Sequence, residues 1–303
     1  MSKIAKESIN VLITGASGLI GSALVPFLED QGYLVSVLKR APSTSSPYWD
    51  IEQGLIKLND TPSPNIIIHL AGENIATSRW TNKIKQKITD SRLQSTQLLI
   101  EYINASSTPP DLFICASAIG FYGNSGLQVV DESSPKGDLF VSELADKWEQ
   151  ISQQIKTKKT RVINLRTGIV LSKQGGALAK MLTPFKMGFG GRIGSGQQIM
   201  SWIDLQDEIS AILFLMQKAT LTGSFNLVSP SPVNNQTFSK TLARILQRPC
   251  LFPLPESIIK CLFSQMGEEL LLSSTNVQPT RLLQAGFEFK YPLLEASLKK
   301  QLT

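Results

Sequence analysis

The chain has 303 residues, 42% of them hydrophobic and 18% charged, so it is long enough to bury the core of one large α/β domain and a smaller lobe. It contains no apolar run of about 18 residues that could span a bilayer. Its first ten residues hold charges where a secretory signal would be apolar. These features predict a cytoplasmic protein with no membrane partner.

Charge and residue counts argue against several functional classes. The net charge is +6, but the basic residues are interspersed among 24 acids and no nucleic-acid-binding motif accompanies them, so no nucleic-acid partner is predicted. Three separated cysteines without a CxxC pair and a single histidine, His69, argue against disulfides, a metal site and Ser-His-Asp catalysis. We expect His69 to be a structural residue at a strand end.

The predicted elements alternate along the first 170 residues. Short apolar runs predict strands at residues 9–14, 33–38, 66–70, 112–116 and 162–165. Apolar residues at helical spacing predict helices at residues 19–28, 81–104 and 141–155. Strands that alternate with helices indicate an α/β fold with a doubly wound, parallel, Rossmann-type sheet.

Beyond Gly168 the composition changes, with glycines crowded between Gly188 and Gly196 and several prolines between Pro230 and Pro255. Helices are predicted at residues 205–217, 237–246 and 293–302. We therefore predict a Rossmann domain at residues 1–170, which later segments are expected to rejoin. Residues 171–303 are predicted to form a smaller mixed C-terminal lobe that supplies loops and a lid.

A glycine-rich run, GASGLIG, follows the first predicted strand and opens the first helix. Gly15 is predicted to make the turn, Gly18 to let a phosphate approach the backbone, and Gly21 to let the helix pack closely on the strand. Backbone N–H groups at a helix N-terminus bind pyrophosphate, so this context predicts a dinucleotide site. The residues assigned to it are Gly15, Ser17, Gly18, Leu19, Ile20 and Gly21.

The end of the second predicted strand indicates which dinucleotide binds. An NAD-specific site places a carboxylate there, about 20 residues beyond the glycines, to bind the ribose 2′-hydroxyl. This chain has Lys39 and Arg40 instead. Since a guanidinium binds a 2′-phosphate through paired, charge-assisted hydrogen bonds, we predict NADP(H) as the cofactor. The alternative is that both residues are surface cations beside a turn.

Longer strings resemble a known family. The strings TGASGLIG, HLAG, ASAIGFYG and LRTGIVL are similar to those of the extended short-chain dehydrogenase/reductases. LAGENIATSRW, DSR at residues 90–92, MSWIDLQD and the tail LLLSSTNVQPTRLLQAGFEFKYP resemble the subfamily described as epimerase family protein, or nucleoside-diphosphate-sugar epimerase. That subfamily has a characteristic C-terminal module, which would lie at about residues 248–300 here.

The resemblance implies roles for further residues. Leu70, Ala71 and Gly72 would pass beneath the adenosine ribose and the phosphates. Arg92 would lie near the cofactor, with a helix-surface ion pair as its alternative. Ser117 would take the position of the active-site serine that hydrogen-bonds the reacting oxygen. The resemblance also implies a small-molecule substrate, for which a nucleotide sugar is one candidate, and it leaves the oligomeric state open.

The acid/base pair of the superfamily is missing from this sequence. Its dehydrogenases use a Tyr-x-x-x-Lys pair, in which the lysine lowers the pKa of the tyrosine from about 10 toward neutrality. None of the five tyrosines has a lysine four residues later, and the expected positions hold Val141 and Ala145. Tyr122 and Lys147 are the side chains available for proton transfer. Their alternatives are a packed aromatic residue and a solvated helix cation.

Three functions remain open at this point. The chain is an NADP-dependent oxidoreductase or nucleotide-sugar epimerase that works with other groups, among which Ser117 and Tyr122 are the catalytic candidates. Alternatively, it uses NADP without ordinary carbonyl/alcohol exchange, or it is a non-catalytic NADP-binding regulator or interaction protein.

The second half offers fewer candidates. The glycine-rich string MGFGGRIGSGQQ can bring backbone close to a ligand, and Arg192 within it could meet a phosphate, although a surface loop is equally consistent. Asp204 is predicted to cap the next helix. The tail pieces LFPLP, IIKCLF and ELLLSS are too short to span a bilayer and are interrupted by Pro255 and by acids, so they are predicted to be core of the small lobe in preference to a membrane-touching surface. A partner-binding face is the remaining alternative.

Overall fold

The computed structural model describes residues 9–40, 46–76 and 78–302. The strands in these ranges are β1 (Asn10–Thr14), β2 (Leu34–Leu38), β3 (Tyr48–Asp50), β4 (Leu55–Lys57), β5 (Ile66–His69), β6 (Leu112–Ala118), β7 (Val129–Val130), β8 (Arg161–Thr167), β9 (Ile169–Leu171), β10 (Ile199–Met200), β11 (Trp202–Asp204), β12 (Gly223–Leu227), β13 (Val233–Asn234) and β14 (Asn276–Val277).

The helices in the same ranges are α1 (Leu19–Asp30), α2 (Asn82–Ala105), α3 (Phe140–Ser152), α4 (Gly176–Lys186), α5 (Leu205–Gln217), α6 (Asn235–Ile245), α7 (Glu256–Phe263), α8 (Gln265–Gly267), α9 (Thr280–Gln284) and α10 (Leu294–Leu302). A 3-10 turn covers Ile119–Tyr122, and a π-helical turn covers Glu268–Leu272.

Six parallel strands form the central sheet, in the order β12-β8-β6-β5-β1-β2. The chain leaves β1 in one direction to pair with β2 and later returns to its other side with β5, so the predicted doubly wound α/β fold is confirmed. All four residues of β5 are buried, as expected for a parallel strand covered by helices on both faces.

Two apolar layers hold the helices on the sheet. On one face, Leu24 and Leu28 of α1 and Ile212 of α5 pack with Ile13 and Ile68 of the strands. On the other face, Leu99 and Ile103 of α2 and Trp148 of α3 pack with Leu12, Ile67 and Phe113. Because successive side chains of a strand point to opposite faces, the same strand serves both layers. In open α/β sheets of this kind, ligands bind in the crevice outside the carboxyl ends of the strands, and we refer to that region as the cleft.

The sixth strand of the sheet was not predicted from the sequence. β12 pairs in parallel with β8, although it lies well beyond residue 171. Its sequence, GSFNL, mixes polar and apolar residues, yet Phe225, Asn226 and Leu227 are all fully buried. The sheet edge thus carries later segments, as the predicted domain division allowed, and α5 packs beside α1.

The second half forms its own small core and several short sheets. Trp202 of β11, Phe238 of α6 and Leu298 of α10 pack with Leu178 of α4. Asp204 accepts a hydrogen bond from the Gln206 backbone N–H and caps α5, as predicted. Among the described residues, no helix is long and apolar enough to cross a bilayer.

The tail differs from its prediction as small-lobe core. Ile259 and Met266 are buried, but Leu251 and Phe252 are 74% and 54% exposed, and Ile258 and Leu262 of α7 are also exposed. The prediction was wrong for these four side chains because a short apolar run does not reveal which of its residues find a covering neighbour.

Candidate functional site

The glycine-rich loop lies at the carboxyl end of β1, in the middle of the sheet. Gly15 has a φ of 74°, and a Cβ there would lie 2.6 Å from the carbonyl carbon of Leu70. A Cβ on Gly21 would lie 2.4 Å from the Gly15 carbonyl oxygen. Gly15 therefore makes the turn and Gly21 permits the close contact between helix and loop, in agreement with their predicted roles.

Gly18 differs from the other two glycines of the loop. It is exposed, it begins α1 without a side-chain cap, and a Cβ there would meet only the Gly15 carbonyl oxygen, at 3.3 Å. Ser17 beside it is also exposed, and Leu19 and Ile20 form the first turn of α1. The N-terminus of α1 thus presents backbone N–H groups to the cleft, which is an arrangement suited to a phosphate group.

Two further segments line the cleft around this loop. Leu70, Ala71 and Gly72 follow β5, and the Ala71 N–H donates to the Thr14 hydroxyl at 3.3 Å. The start of α4 approaches from the other side, because Cβ atoms on Gly175 and Gly176 would lie 3.2 and 3.1 Å from the Leu19 side chain. This second approach was not predicted.

One contact joins α4 to the loop that follows β5. The Lys180 ammonium of α4 donates to the Ala76 carbonyl oxygen at 2.8 Å. Since α4 also meets Leu19, it contacts both segments that border the cleft. The helix is therefore the element of the second half best placed to cover a bound dinucleotide.

Lys39 and Arg40 lie where the sequence placed them, directly after β2. Both side chains are exposed, and neither is within 4.0 Å of a carboxylate in the described ranges. The backbone N–H of the strand residue Trp49 donates to the Lys39 carbonyl oxygen at 2.9 Å. The backbone at this corner is thus held by β3 while the two cationic side chains stay available.

Arg92 lies at the cleft and not in a helix-surface ion pair. Its guanidinium carbon would be 3.3 Å from a Cβ on Gly72, and it stacks 5.2 Å from the Trp148 ring centroid. Its one hydrogen bond within the described residues goes to the Ile88 carbonyl oxygen. Burial lowers the pKa of Arg92 to about 10, with Glu73 opposing the shift, so the group stays charged at neutral pH. A half-buried cation without a paired carboxylate is well suited to an anionic or hydroxyl-bearing ligand.

Ser117 and Tyr122, the two catalytic candidates, belong to a buried polar network. Ser117 donates to the Glu149 carboxylate at 2.7 Å. The Tyr122 hydroxyl donates to Asn226 at 2.7 Å and accepts from Arg166 at 2.9 Å. Burial raises the pKa of Tyr122 to about 12, although Arg166 opposes the shift. These contacts favour the packed-aromatic alternative for Tyr122 and occupy the Ser117 hydroxyl.

Glu149 and Arg166 form the centre of this network, and the sequence analysis did not single them out. Arg166 donates to both carboxylate oxygens of Glu149, at 2.8 and 2.9 Å, and Ser224 of β12 donates to the same carboxylate at 2.8 Å. The Arg166 guanidinium also lies 3.5 Å from the Phe121 ring centroid. The signal that could have identified them is a Glu on the apolar face of a predicted helix and an Arg inside a predicted buried strand.

The two positions expected to hold the acid/base pair are apolar and covered. Val141 and Ala145 are 8% and 3% exposed. Val141 packs in one cluster with Trp80 and with Met266 of the C-terminal module, and its backbone N–H donates to the Glu269 carboxylate at 3.1 Å. Lys147, the other candidate for proton transfer, is exposed on α3. The C-terminal segment thus caps the first turn of α3, where the tyrosine would stand.

Glu208 is a buried acid that the sequence analysis did not identify. One carboxylate oxygen accepts from the Thr167 hydroxyl at 2.9 Å, at the end of β8. The other has no hydrogen-bond partner within the described residues. Burial raises the pKa of Glu208 to about 8, with the Thr167 hydrogen bond opposing the shift, so the carboxyl is mainly protonated at neutral pH.

His69 is a structural residue, as predicted. Its ring nitrogens are hydrogen-bonded to the hydroxyls of Thr14, at 2.7 Å, and Thr96, at 3.0 Å. Burial, with a smaller effect from Arg92, lowers the pKa of His69 to about 3. The imidazole is therefore neutral in the folded protein and serves to join β1, β5 and α2.

This burial predicts a pH dependence of stability. Between about pH 6.5 and 3 the unfolded chain binds a proton at His69 and the folded chain does not. The free energy of unfolding should therefore fall with falling pH in this window, by up to about 1.4 kcal/mol per pH unit from this residue. Urea unfolding of the His69→Gln variant should show a shallower dependence over the same range. The same slope in both proteins would contradict the assignment.

The second half contributes less to the site than the sequence suggested. Arg192 is exposed, and its backbone carbonyl oxygen accepts from Leu254 at 2.8 Å. The described residues contain no group of three or more His, Cys, Asp or Glu side chains that could hold a metal ion.

The sequence and the fold are similar to those of known proteins. Residues 11–228 match the NAD dependent epimerase/dehydratase family, and residues 254–301 match a domain of unknown function, DUF1731. The sequence is 36% identical to an epimerase family protein of Mycobacterium bovis over 290 residues, which cover 95% of this chain and 96% of that protein.

Two solved structures extend the comparison. The human epimerase family protein SDR39U1, solved with NADPH, has a TM-score of 0.90 and 34% sequence identity, over 96% of this chain and 98% of that one. A nucleoside-diphosphate sugar epimerase from Corynebacterium glutamicum has a TM-score of 0.80 and 28% identity, over 97% of this chain and 58% of that one.

Proposed function

Because this chain belongs to the NAD dependent epimerase/dehydratase family, as its sequence strings predicted, we propose that it binds NADP(H) at the carboxyl ends of β1 and β5. The observation that carries the proposal is the phosphate loop, in which Gly15 makes the turn, Gly21 permits the close contact between helix and loop, and Gly18 is left open to the cleft. The NADPH in the human relative supports the same cofactor here.

The residues around the cleft fit each part of such a cofactor. Backbone N–H groups of Leu19 and Ile20 would hold the pyrophosphate, since α1 has no side-chain cap and the Gly18 N–H donates to the Gly15 carbonyl oxygen at 3.0 Å. Lys39 and Arg40 would hold the 2′-phosphate at the end of β2. Leu70, Ala71 and Gly72 would support the ribose and phosphates, with Arg92 beside Gly72. The nicotinamide, when bound, supplies hydride-transfer chemistry.

We further propose that the protein acts as an NADP(H)-binding regulator or interaction protein and not as a tyrosine-dependent dehydrogenase. Val141 and Ala145 carry no titratable group. Tyr122 has a raised pKa and two hydrogen-bond partners, and Ser117 donates to Glu149. A general acid/base must reach the proton it transfers and titrate near the operating pH, and none of these four residues meets both conditions.

The second candidate is an NADP-dependent oxidoreductase or nucleotide-sugar epimerase. Family membership and the likeness to the C. glutamicum epimerase favour it. It requires that a nucleotide sugar reduce bound NADP+ or be converted to its epimer, or that a carbonyl compound oxidise bound NADPH. Tight NADPH binding would favour the regulator if no epimer formed and the nicotinamide spectrum did not change, with nucleotide sugars tested against bound NADP+ and carbonyl compounds against bound NADPH.

Charge reversal at Arg40 tests the cofactor assignment. Arg40→Asp should weaken NADPH binding by about 1–3 kcal/mol, the scale of a charge-assisted contact, and should leave NADH binding nearly unchanged. Lys158→Asp, in the exposed loop before β8 at the opposite end of the sheet, is the matched control and should alter neither affinity. Equal losses for NADPH and NADH in Arg40→Asp would overturn the assignment of the 2′-phosphate to this corner.

A further inference from the structure

Four large apolar side chains are exposed on the surface of the second half of the chain. They come from the end of α4 and from the segment before α7, and we refer to them as the apolar patch: Met187, Phe189, Leu251 and Phe252. Their exposed fractions are 65%, 58%, 74% and 54%. An exposed apolar cluster of this kind marks a contact surface in a folded protein.

The backbone contacts beneath the patch hold its two segments together. A Cβ on Gly188 would lie 3.8 Å from the Pro249 ring, and the Phe252 N–H donates to the Gly190 carbonyl oxygen at 3.3 Å. The rings of Phe189 and Phe252 meet edge to face, with centroids 5.6 Å apart. The exposed side chains are therefore fixed by paired backbone and do not belong to a free loop.

The cations around the patch have no acidic partners. Lys186 and Arg248 are joined by a 2.9 Å hydrogen bond from the Arg248 Nε to the Lys186 carbonyl oxygen, and Arg192 follows the patch glycines. All three side chains are exposed, and none is within 4.0 Å of a carboxylate among the residues that the structure describes.

The stretch without exposed acids begins well before the patch in the sequence and ends at Glu256, four residues after Phe252, where the carboxylate pairs with Lys260. Between residues 150 and 255 the only acids are Asp204, Asp207 and Glu208. Each is at most 1% exposed, and Asp204 and Asp207 are engaged in hydrogen bonds within the small lobe. The exposed charged side chains of this part of the chain are therefore all positive, although basic and acidic residues are interspersed over the whole sequence.

We propose that the apolar patch docks the protein onto a lipid bilayer that contains anionic lipids. The patch side chains would enter the headgroup region, and Lys186, Arg192 and Arg248 would contact lipid phosphates. Shallow apolar insertion and cation–phosphate attraction reinforce each other at such a surface, and each basic residue contributes on the order of 1 kcal/mol. This docking needs no spanning segment, and it departs from the sequence-based prediction of no membrane partner.

Two other occupants fit the observations less well. A second copy of the chain that presented the same patch would bring the three cations against their equivalents, which is unfavourable. A nucleic acid would match the positive charge of the surface. It would leave the exposed aliphatic side chains of Met187 and Leu251 largely uncovered, because phosphate contacts need no apolar partner.

Vesicle binding by the full chain tests the proposal. Sedimentation with phosphatidylcholine vesicles that contain about 30% phosphatidylglycerol should retain the protein at about 100 mM salt, and pure phosphatidylcholine should retain much less. Phe189→Ser with Phe252→Ser should reduce the partition coefficient roughly tenfold or more. Lys186→Glu with Arg248→Glu should do the same without touching the aromatic pair, so it remains informative if the first variant folds poorly.

The matched control pairs an exposed leucine with an exposed lysine elsewhere. Leu127→Ser with Lys83→Glu should bind vesicles as the unchanged protein does. Failure of the unchanged protein to bind anionic vesicles would overturn the proposal, and so would binding by both patch variants that is as strong as that of the unchanged protein. Binding to a DNA duplex in place of vesicles, or a dimer in sedimentation velocity that the patch variants dissociate, would assign the surface to those occupants instead.

Discussion

Glu149→Ala is expected to lower the free energy of unfolding by about 3–5 kcal/mol, as is typical when one member of a buried ion pair is removed. The Glu149 carboxylate accepts hydrogen bonds from Ser117, Arg166 and Ser224, which lie on three strands of the sheet. Its loss would leave the Arg166 guanidinium buried without a counter-ion. Urea unfolding followed by circular dichroism measures the effect.

Glu295→Ala is the matched control, since Glu295 pairs with Arg244 and Lys299 at the surface. Exposed pairs contribute about 1 kcal/mol or less, so this variant should unfold nearly as the unchanged protein does. A loss below about 1 kcal/mol for Glu149→Ala would contradict the claim that this network stabilises the core and holds Ser117 and Tyr122 in structural contacts.

Gly18→Ala is expected to weaken NADPH binding by at least about tenfold while leaving stability without cofactor almost unchanged. The added methyl group has one close neighbour, the Gly15 carbonyl oxygen at 3.3 Å, which would have to shift by a few tenths of an ångström, and the Gly18 φ of −77° suits alanine. It would instead stand where the phosphate approaches the backbone. Fluorescence titration with NADPH, beside thermal unfolding, measures both quantities.

Gly32→Ala supplies the reverse control within the same β-α-β unit. A Cβ at Gly32 meets nothing within 4 Å, but the φ of 86° is strained for alanine, so stability should fall by about 1 kcal/mol and NADPH affinity should not change. If Gly18→Ala bound NADPH as tightly as the unchanged protein, the phosphate would have to lie elsewhere.

The sequence predicted the parts of the fold that depend on local pattern. Buried apolar runs identified β1, β2, β5, β6 and β8, and helical spacing identified α1 to α3. β12 was not predicted because Ser224 and Asn226 interrupt its apolar residues. In the folded protein Ser224 donates a hydrogen bond to Glu149, and the Asn226 side chain donates one to the Gln278 carbonyl oxygen. Both partners lie far away in the sequence. Pairing with β8 outweighs the local sequence there.

Some residues of the candidate site could likewise be predicted from local sequence pattern, and others could not. The turn at Gly15 and the close contact at Gly21 could be predicted because backbone geometry restricts those positions to glycine. Gly18 and Arg40 could be predicted as candidates because their places follow from the spacing of the loop and from strand length. The approach of α4 to Leu19 and the burial of Ser117 with Glu149 depend on contacts between residues far apart in the chain. No spacing rule in a single sequence reports such contacts.

The central claim is that this cleft binds NADP(H) and selects it through the 2′-phosphate. The most direct test titrates the unchanged protein with NADPH and with NADH while following energy transfer from tryptophan to the reduced nicotinamide. We expect NADPH to bind at least about tenfold more tightly, because NADH lacks the group that Lys39 and Arg40 would hold. Equal dissociation constants for the two cofactors, or no binding of either, would contradict it.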